Sequence, residues 1–179
     1  MNTKILERYI ACALICFSVA SLSGCGQPGQ SNTASQSRTS TPEVPKVEDG
    51  TSRTLTRVDG TPVHNLERIQ NVDSPYGQPS ISISSVSETV MTGWAVDGLA
   101  KKEAGGVDIV MDGKIYKANY GSDRPDVSEA LKFPATRSGF SLAMPRDFLS
   151  RGSHRVSVRV ITNDGKNYAE GPTVTFVAE

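Results

Sequence analysis

From Ile81 to the last residue, apolar side chains recur at every second position between clusters of turn-forming residues, the pattern of half-buried antiparallel strands. Ile81 and Ile83 alternate with serines. Val90, Thr92, Trp94 and Val96 share one face of a strand, and Val107, Ile109 and Met111 share one face of the next. Asp112-Gly113 suits the positive φ values of a type I′ turn and predicts a hairpin into 115–120. Phe140, Leu142 and Met144 form another inward set. The plainest alternation lies in His154–Ile161, where Val156, Val158 and Val160 interleave with Arg155, Ser157 and Arg159. Asn163-Asp164-Gly165 then turns the chain into a strand carrying Val174, Phe176 and Ala178 on one face. About seven short strands with turns every 8 to 12 residues predict an all-β fold, an immunoglobulin-like antiparallel β-sandwich. One segment breaks the alternation: Pro125 and the spacing of Asp123 and Asp126 predict a short helical insertion over 123–131. A second short turn is expected at Pro145–Leu149.

Upstream the pattern fades. Residues 26–45 are Ser, Thr, Gln, Gly and Pro with few aliphatic side chains, too little apolar surface to offset the entropy of ordering them. Residues 46–67 are little richer. The expected organisation is a signal peptide over 1–24, a flexible, disordered tether over 25–68 and a sandwich domain over 69–179.

The first residues carry Lys4 and Arg8, with Glu7 between them, followed by an apolar run from Tyr9 to Leu22. That is the layout of a secretory signal, and a core of about 14 residues is shorter than the roughly 20 a transmembrane helix needs. The run ends in Leu22-Ser23-Gly24-Cys25, which resembles the lipobox of bacterial lipoproteins. The resemblance implies cleavage between Gly24 and Cys25, acylation of Cys25, and an extracytoplasmic protein anchored in a membrane. Because Gly26 rather than aspartate follows the cysteine, the lipoprotein sorting rules imply the outer membrane in an organism with two. Two or three acyl chains hold a protein firmly where one does not.

Composition narrows the chemistry. All three cysteines, Cys12, Cys16 and Cys25, precede the tether's body, so no disulfide framework is expected in the folded part. Nineteen basic and nineteen acidic side chains balance, without a long run of either sign, and nothing calls for nucleic acid. Two histidines, His64 and His154, are too few for a zinc site, and the Asp/Asn-rich turns lack the spacing of a calcium loop. No cofactor is expected.

Taken in order, Gly93-Trp94-Ala95-Val96-Asp97, Met111-Asp112-Gly113, Arg124-Pro125-Asp126-Val127, Gly139-Phe140 and Gly152-Ser153-His154 resemble a family of bacterial extracytoplasmic immunoglobulin-like modules. The resemblance covers roughly Asn71 to Glu179. Met111 stands where that family usually has valine, and 99–106 is a charged loop of its own. Such modules are commonly appended to envelope proteins and sugar-handling enzymes, so the resemblance implies an accessory or binding role, and a shared sandwich transfers no activity.

Among candidate site residues, Trp94 is expected in the core between the sheets. Its alternative use, a sugar-stacking platform with Tyr116 and Tyr120, needs an exposed indole. Asp97, Arg124 and Asp126 are expected to form a polar cluster that fixes the helical insertion. Ser153 and His154 are no nucleophile and base, since successive strand residues point to opposite faces. His154 is expected to hydrogen-bond a loop at a strand end. Arg155, Ser157 and Arg159 are expected on a solvated outer face. These readings describe a non-enzymatic, lipid-anchored envelope protein whose partner is an envelope protein or polysaccharide, with a glycan-binding accessory module or a purely structural envelope spacer as the alternatives.

Overall fold

The structure, a computed structural model, describes Asp49 and residues 54–60 and 62–179. The expected signal peptide, Cys25 and most of the expected tether lie outside these residues. The described chain is an all-β sandwich of two sheets with one short helix.

The first sheet is built around the longest strand, β11 (Gly152–Ile161). One edge of β11 pairs antiparallel with β7 (Gly106–Met111), which pairs with β8 (Lys114–Lys117). Its other edge is shared by two strands: β13 (Val174–Ala178) along 152–156 and β12 (Asn167–Glu170) along 159–161. Two-residue parallel strands finish that side, β4 (Ser82–Ile83) on β13 and β1 (Thr56–Arg57) on β12. Asp49 bridges to Tyr116 of β8. The second sheet runs β3 (Val72–Asp73), β2 (Val63–Ile69), β5 (Thr89–Asp97), β10 (Gly139–Met144), β9 (Asn119–Ser122), with β6 (Lys102–Glu103) extending the end of β5.

The alternating sets read from the sequence form the first sheet's inner wall: Val107, Ile109, Met111, Val156, Val158, Val160, Val174, Phe176 and Ala178 are all buried in one cluster. Asp112 (φ 51) and Gly113 (φ 81) make the β7–β8 turn with both central residues at positive φ, as a type I′ turn requires. The chain then changes sheets at Ala118, so the segment expected as one strand over 115–120 is β8 in one sheet and β9 in the other.

Two expectations are corrected. The boundary at residue 69 falls inside β2, a strand of the second sheet whose Leu66 and Ile69 are fully buried. A strand with inward residues three apart breaks period-two alternation; a bulge allows it here. Leu66 pairs with Gly93 and Arg68 with Thr92, leaving Glu67 as an extra residue, so Leu66 and Ile69 both face the core. The second correction concerns β5. Val90, Thr92, Trp94 and Val96 do share a face, but it is the outer one. The inward residues are Thr89, Met91, Gly93 and Ala95.

The small side chains explain the choice. A Cβ added at Gly93 would lie 2.8 Å from Cζ of Phe140, so the bare backbone of β5 is the seat for that ring. Trp94, half-buried, packs outside the sandwich with Val96, Val127 and Ala135, next to Leu131 and Phe133. The helical insertion, α1 (Pro125–Leu131), and the segment after it cover this outer patch. Apolar residues on both faces of β5 left its polarity unreadable from alternation. The second expected turn is present as a reverse turn, with the Phe148 N–H donating to the Pro145 carbonyl at 3.2 Å.

Candidate functional site

Arg124 organises the outer face of the second sheet. Its guanidinium donates two parallel bonds to Glu67 (Nη1 to Oε2, 2.8 Å; Nη2 to Oε1, 2.9 Å) and two to Asp126 (Nε to Oδ1, 2.9 Å; Nη2 to Oδ2, 2.7 Å). Fork-to-fork pairing of this kind is geometrically demanding, and it specifies arginine over lysine. Each partner is positioned by a local irregularity. The β2 bulge turns Glu67 to the outer side, and Pro125 starts a helix whose second residue, Asp126, returns to the arginine before it. Gly139 leaves the passage between them, since a Cβ there would stand 3.1 Å from Cγ of Arg124.

The electrostatics follow from these bonds. Two carboxylates surround one cation, so the cluster carries a net charge of about −1 near neutral pH. The bonds from Arg124 hold the Asp126 carboxyl below its ordinary range, and those from Asp126 and Glu67 push the guanidinium further up. The Arg124 side chain is 21% exposed against 62% for Asp126, so the Glu67 arm of the cluster is the better shielded and the Asp126 arm is largely hydrated. In cross-strand register, Asn65, Trp94, Gly139 and Ser122 form one row on the same face. The face thus combines an indole edge, an amide, a hydroxyl and a bound guanidinium.

Of the expected cluster, Arg124 and Asp126 meet and Asp97 does not. Asp97 instead accepts the N–H groups of Leu99 (3.1 Å), Ala100 (2.9 Å) and Asn163 (2.8 Å), which ties the β5–β6 loop to the β11–β12 turn. Glu67 took its place at Arg124, and it was missed because it lies in a segment read as tether. The platform of Trp94, Tyr116 and Tyr120 is not assembled. Trp94 is on the outer face, whereas Tyr116 and Tyr120 pack against the core between the sheets. Tyr120 hydroxyl donates to the Ala95 carbonyl and accepts the Ala104 N–H, both at 2.9 Å, and burial pushes it up to about 12. Tyr116 meets Phe148 edge to face, 5.7 Å between ring centres.

Of the expected outer row, Arg155 is exposed, whereas Ser157 and Arg159 are less solvated than the pattern implied. Arg159 stacks over the Tyr168 ring at 4.0 Å and lies 3.6 Å from Glu170, which accepts a 2.6 Å bond from the buried Ser157 hydroxyl. His64, placed in the tether by sequence, sits on β2. Its Nδ1–H donates to the Pro62 carbonyl at 3.1 Å, and its Nε2 accepts from Tyr76 hydroxyl at 2.8 Å, as a neutral ring must. Burial lowers its pKa. His154 is buried at its strand end and bonds the preceding loop as expected.

Among the described residues no group of three or more His, Cys, Asp or Glu is arranged to hold a metal ion. Grooves open on the surface formed by the described residues, two of them well defined. One, of about 260 Å³, is lined chiefly by Val58, Val63, Val96, Val160 and Ile161 with Asp59 and Asp97 among its lining residues; the other, of about 620 Å³, is polar and lies beside Gln70, Ser84 and Glu179. No protein-family model, curated protein or solved structure matches this chain.

Proposed function

We propose that this chain is a lipid-anchored protein of the bacterial cell envelope whose sandwich, an immunoglobulin-like module, acts by binding rather than by catalysis. The anchor reading rests on Leu22-Ser23-Gly24-Cys25 after a short apolar run. The binding reading rests on one observation: the outer face of the second sheet brings Asn65, the half-buried Trp94 and Ser122 into register beside the Arg124–Glu67–Asp126 cluster. A half-buried indole edged by polar side chains is a common interface anchor. Catalysis finds less support, because Asp97, Arg124 and His154 spend their polar atoms on joining loops and strands rather than converging on a cleft. The partner is an envelope protein or a polysaccharide.

The test has two arms. Replacing Cys25 with alanine should release the protein from membranes or leave an uncut precursor, and unchanged fractionation refutes the anchor. A photo-crosslinking residue at Ser141, on the same outer face, should yield discrete adducts in the envelope that Trp94→Ala diminishes. Adducts indifferent to that change, or matched by a crosslinker at Thr175 on the other sheet, refute the face.

A further inference from the structure

His154 lies where three parts of the first sheet meet, and both of its ring nitrogens point at acceptors. Nδ1 is 2.6 Å from Oδ2 of Asp112, the first residue of the β7–β8 turn; Nε2 is 2.7 Å from the carbonyl oxygen of Ser150, in the loop between β10 and β11. One face of the ring stacks on Phe176 of β13, with centroids 5.4 Å apart and planes 29° from parallel. A neutral imidazole carries one N–H; two acceptors at these distances need two. The second acceptor would otherwise face a lone pair.

We propose that His154 is a proton-operated staple: the doubly protonated ring ties the Asp112 turn to the Ser150 loop, and loss of one proton frees that loop while the sandwich stays folded. Asp112 is the stronger acceptor, and it is fixed independently because its Oδ1 accepts the Arg155 N–H at 2.9 Å. The remaining proton therefore stays on Nδ1, and the Ser150 carbonyl loses its donor. That carbonyl belongs to a loop with few other holds: Leu149 is buried, Phe148 leans on Tyr116 while 39% exposed, and Pro145–Phe148 closes a single turn.

The charged and titratable groups around the ring come from each element against it. Asp112 acts on it directly from the β7–β8 turn, Lys114 on β8 acts on Asp112, and Arg155 on β11 offers Asp112 its backbone N–H. Phe176 on β13 brings no charge, and Ser150 brings a carbonyl. Burial pulls the imidazole down, but its bonds to Asp112 and Ser150 and the carboxylate's charge outweigh it, leaving His154 above 6.5. Asp112 is likewise pushed up by burial and brought below 3.8 by the bonds from His154 and Arg155. A raised histidine stabilises the fold fully below its unfolded value and loses that contribution as pH climbs through the folded one. A depressed carboxylate contributes above its unfolded value and loses it as pH falls through its folded one. The contribution of the pair is therefore complete from about 4 to about 6.5, and the staple opens on the alkaline side as pH climbs through the raised value of His154.

The experiment is nitrogen-15 NMR of the two imidazoles across pH in the chain from Cys25 on, made without lipid. His154 should show two protonated ring nitrogens at pH 6 and titrate above 6.5, while His64 titrates below it. The backbone amides of 146–151 should shift and exchange faster with the His154 midpoint. In Asp112→Asn both the His154 midpoint and the loop transition should move down together. A singly protonated His154 at pH 6, or loop signals that ignore its titration in the unaltered chain, overturns the proposal whether or not the variant folds.

Discussion

Leu66→Ala probes the part of the fold that alternation concealed. The side chain is fully buried, and directly across the ladder stands Gly93, which has no side chain to move into the space. Phe140, packed over Gly93, is held by the same backbone. Removing roughly three carbons costs about 2.4 kcal/mol in transfer free energy. A residual void of about 40 Å³ adds about 1 kcal/mol, so the variant should lose about 3 to 4 kcal/mol. Urea denaturation followed by fluorescence reads this directly, since Trp94 is the sole tryptophan and packs on the neighbouring strand. The midpoint should fall with the slope unchanged, and the melting temperature should drop by about 10 °C or more. A loss under about 1 kcal/mol would mean that β2 is not part of the cooperative unit, and the reasoning from the bulge would fail.

Gly93→Ala should destabilise more than Gly113→Ala, even though only Gly113 has positive φ. The new Cβ at 93 would lie 2.1 Å from the Asn65 carbonyl oxygen, whereas nothing lies within 4 Å at 113, so losses of over about 2 and about 1 kcal/mol are expected by thermal melting. The opposite order would remove the argument for a ring seat. A double-mutant cycle between Arg124→Met and Glu67→Gln should show a coupling of about 1 kcal/mol, reduced in high salt; zero coupling would leave the paired geometry without energetic weight.

The first sheet was legible because its inward residues on β7, β11 and β13 recur at every second position, most plainly on β11, where Val156, Val158 and Val160 interleave with Arg155, Ser157 and Arg159. The second sheet was harder to read for two local reasons. The bulge at Glu67 spaces Leu66 and Ile69 three apart, which matches no strand template, and the missing strand took Glu67 and His64 with it. On β5 the inner residues include Gly93 and Ala95 while the outer ones include Trp94 and Val96, so size and hydropathy point the wrong way until α1 is seen to cover the outer face. The Arg124–Asp126 contact was visible because it is local. Asp97 was assigned to it on charge alone, but backbone N–H groups from two loops compete for that carboxylate, and such donors leave no mark in side-chain patterns.

The parallel pairing of β1 on β12 has a mechanical meaning. Downstream of the Asp49–Tyr116 bridge, the chain joins that edge through two residues, held by the Thr56 N–H on Lys166 (3.1 Å) and the Val58 N–H on Tyr168 (2.9 Å). A pull on the residues ahead of Thr56, directed along the strand, loads both bonds at once in shear, before any tension reaches the core residues of β2. Lifetime under force is set by the rate of the first opening step rather than by total stability. A sandwich pulled from this side gives way at the Asp49 bridge and β1 before its core, lengthening the chain by a few residues while the packed core stays intact.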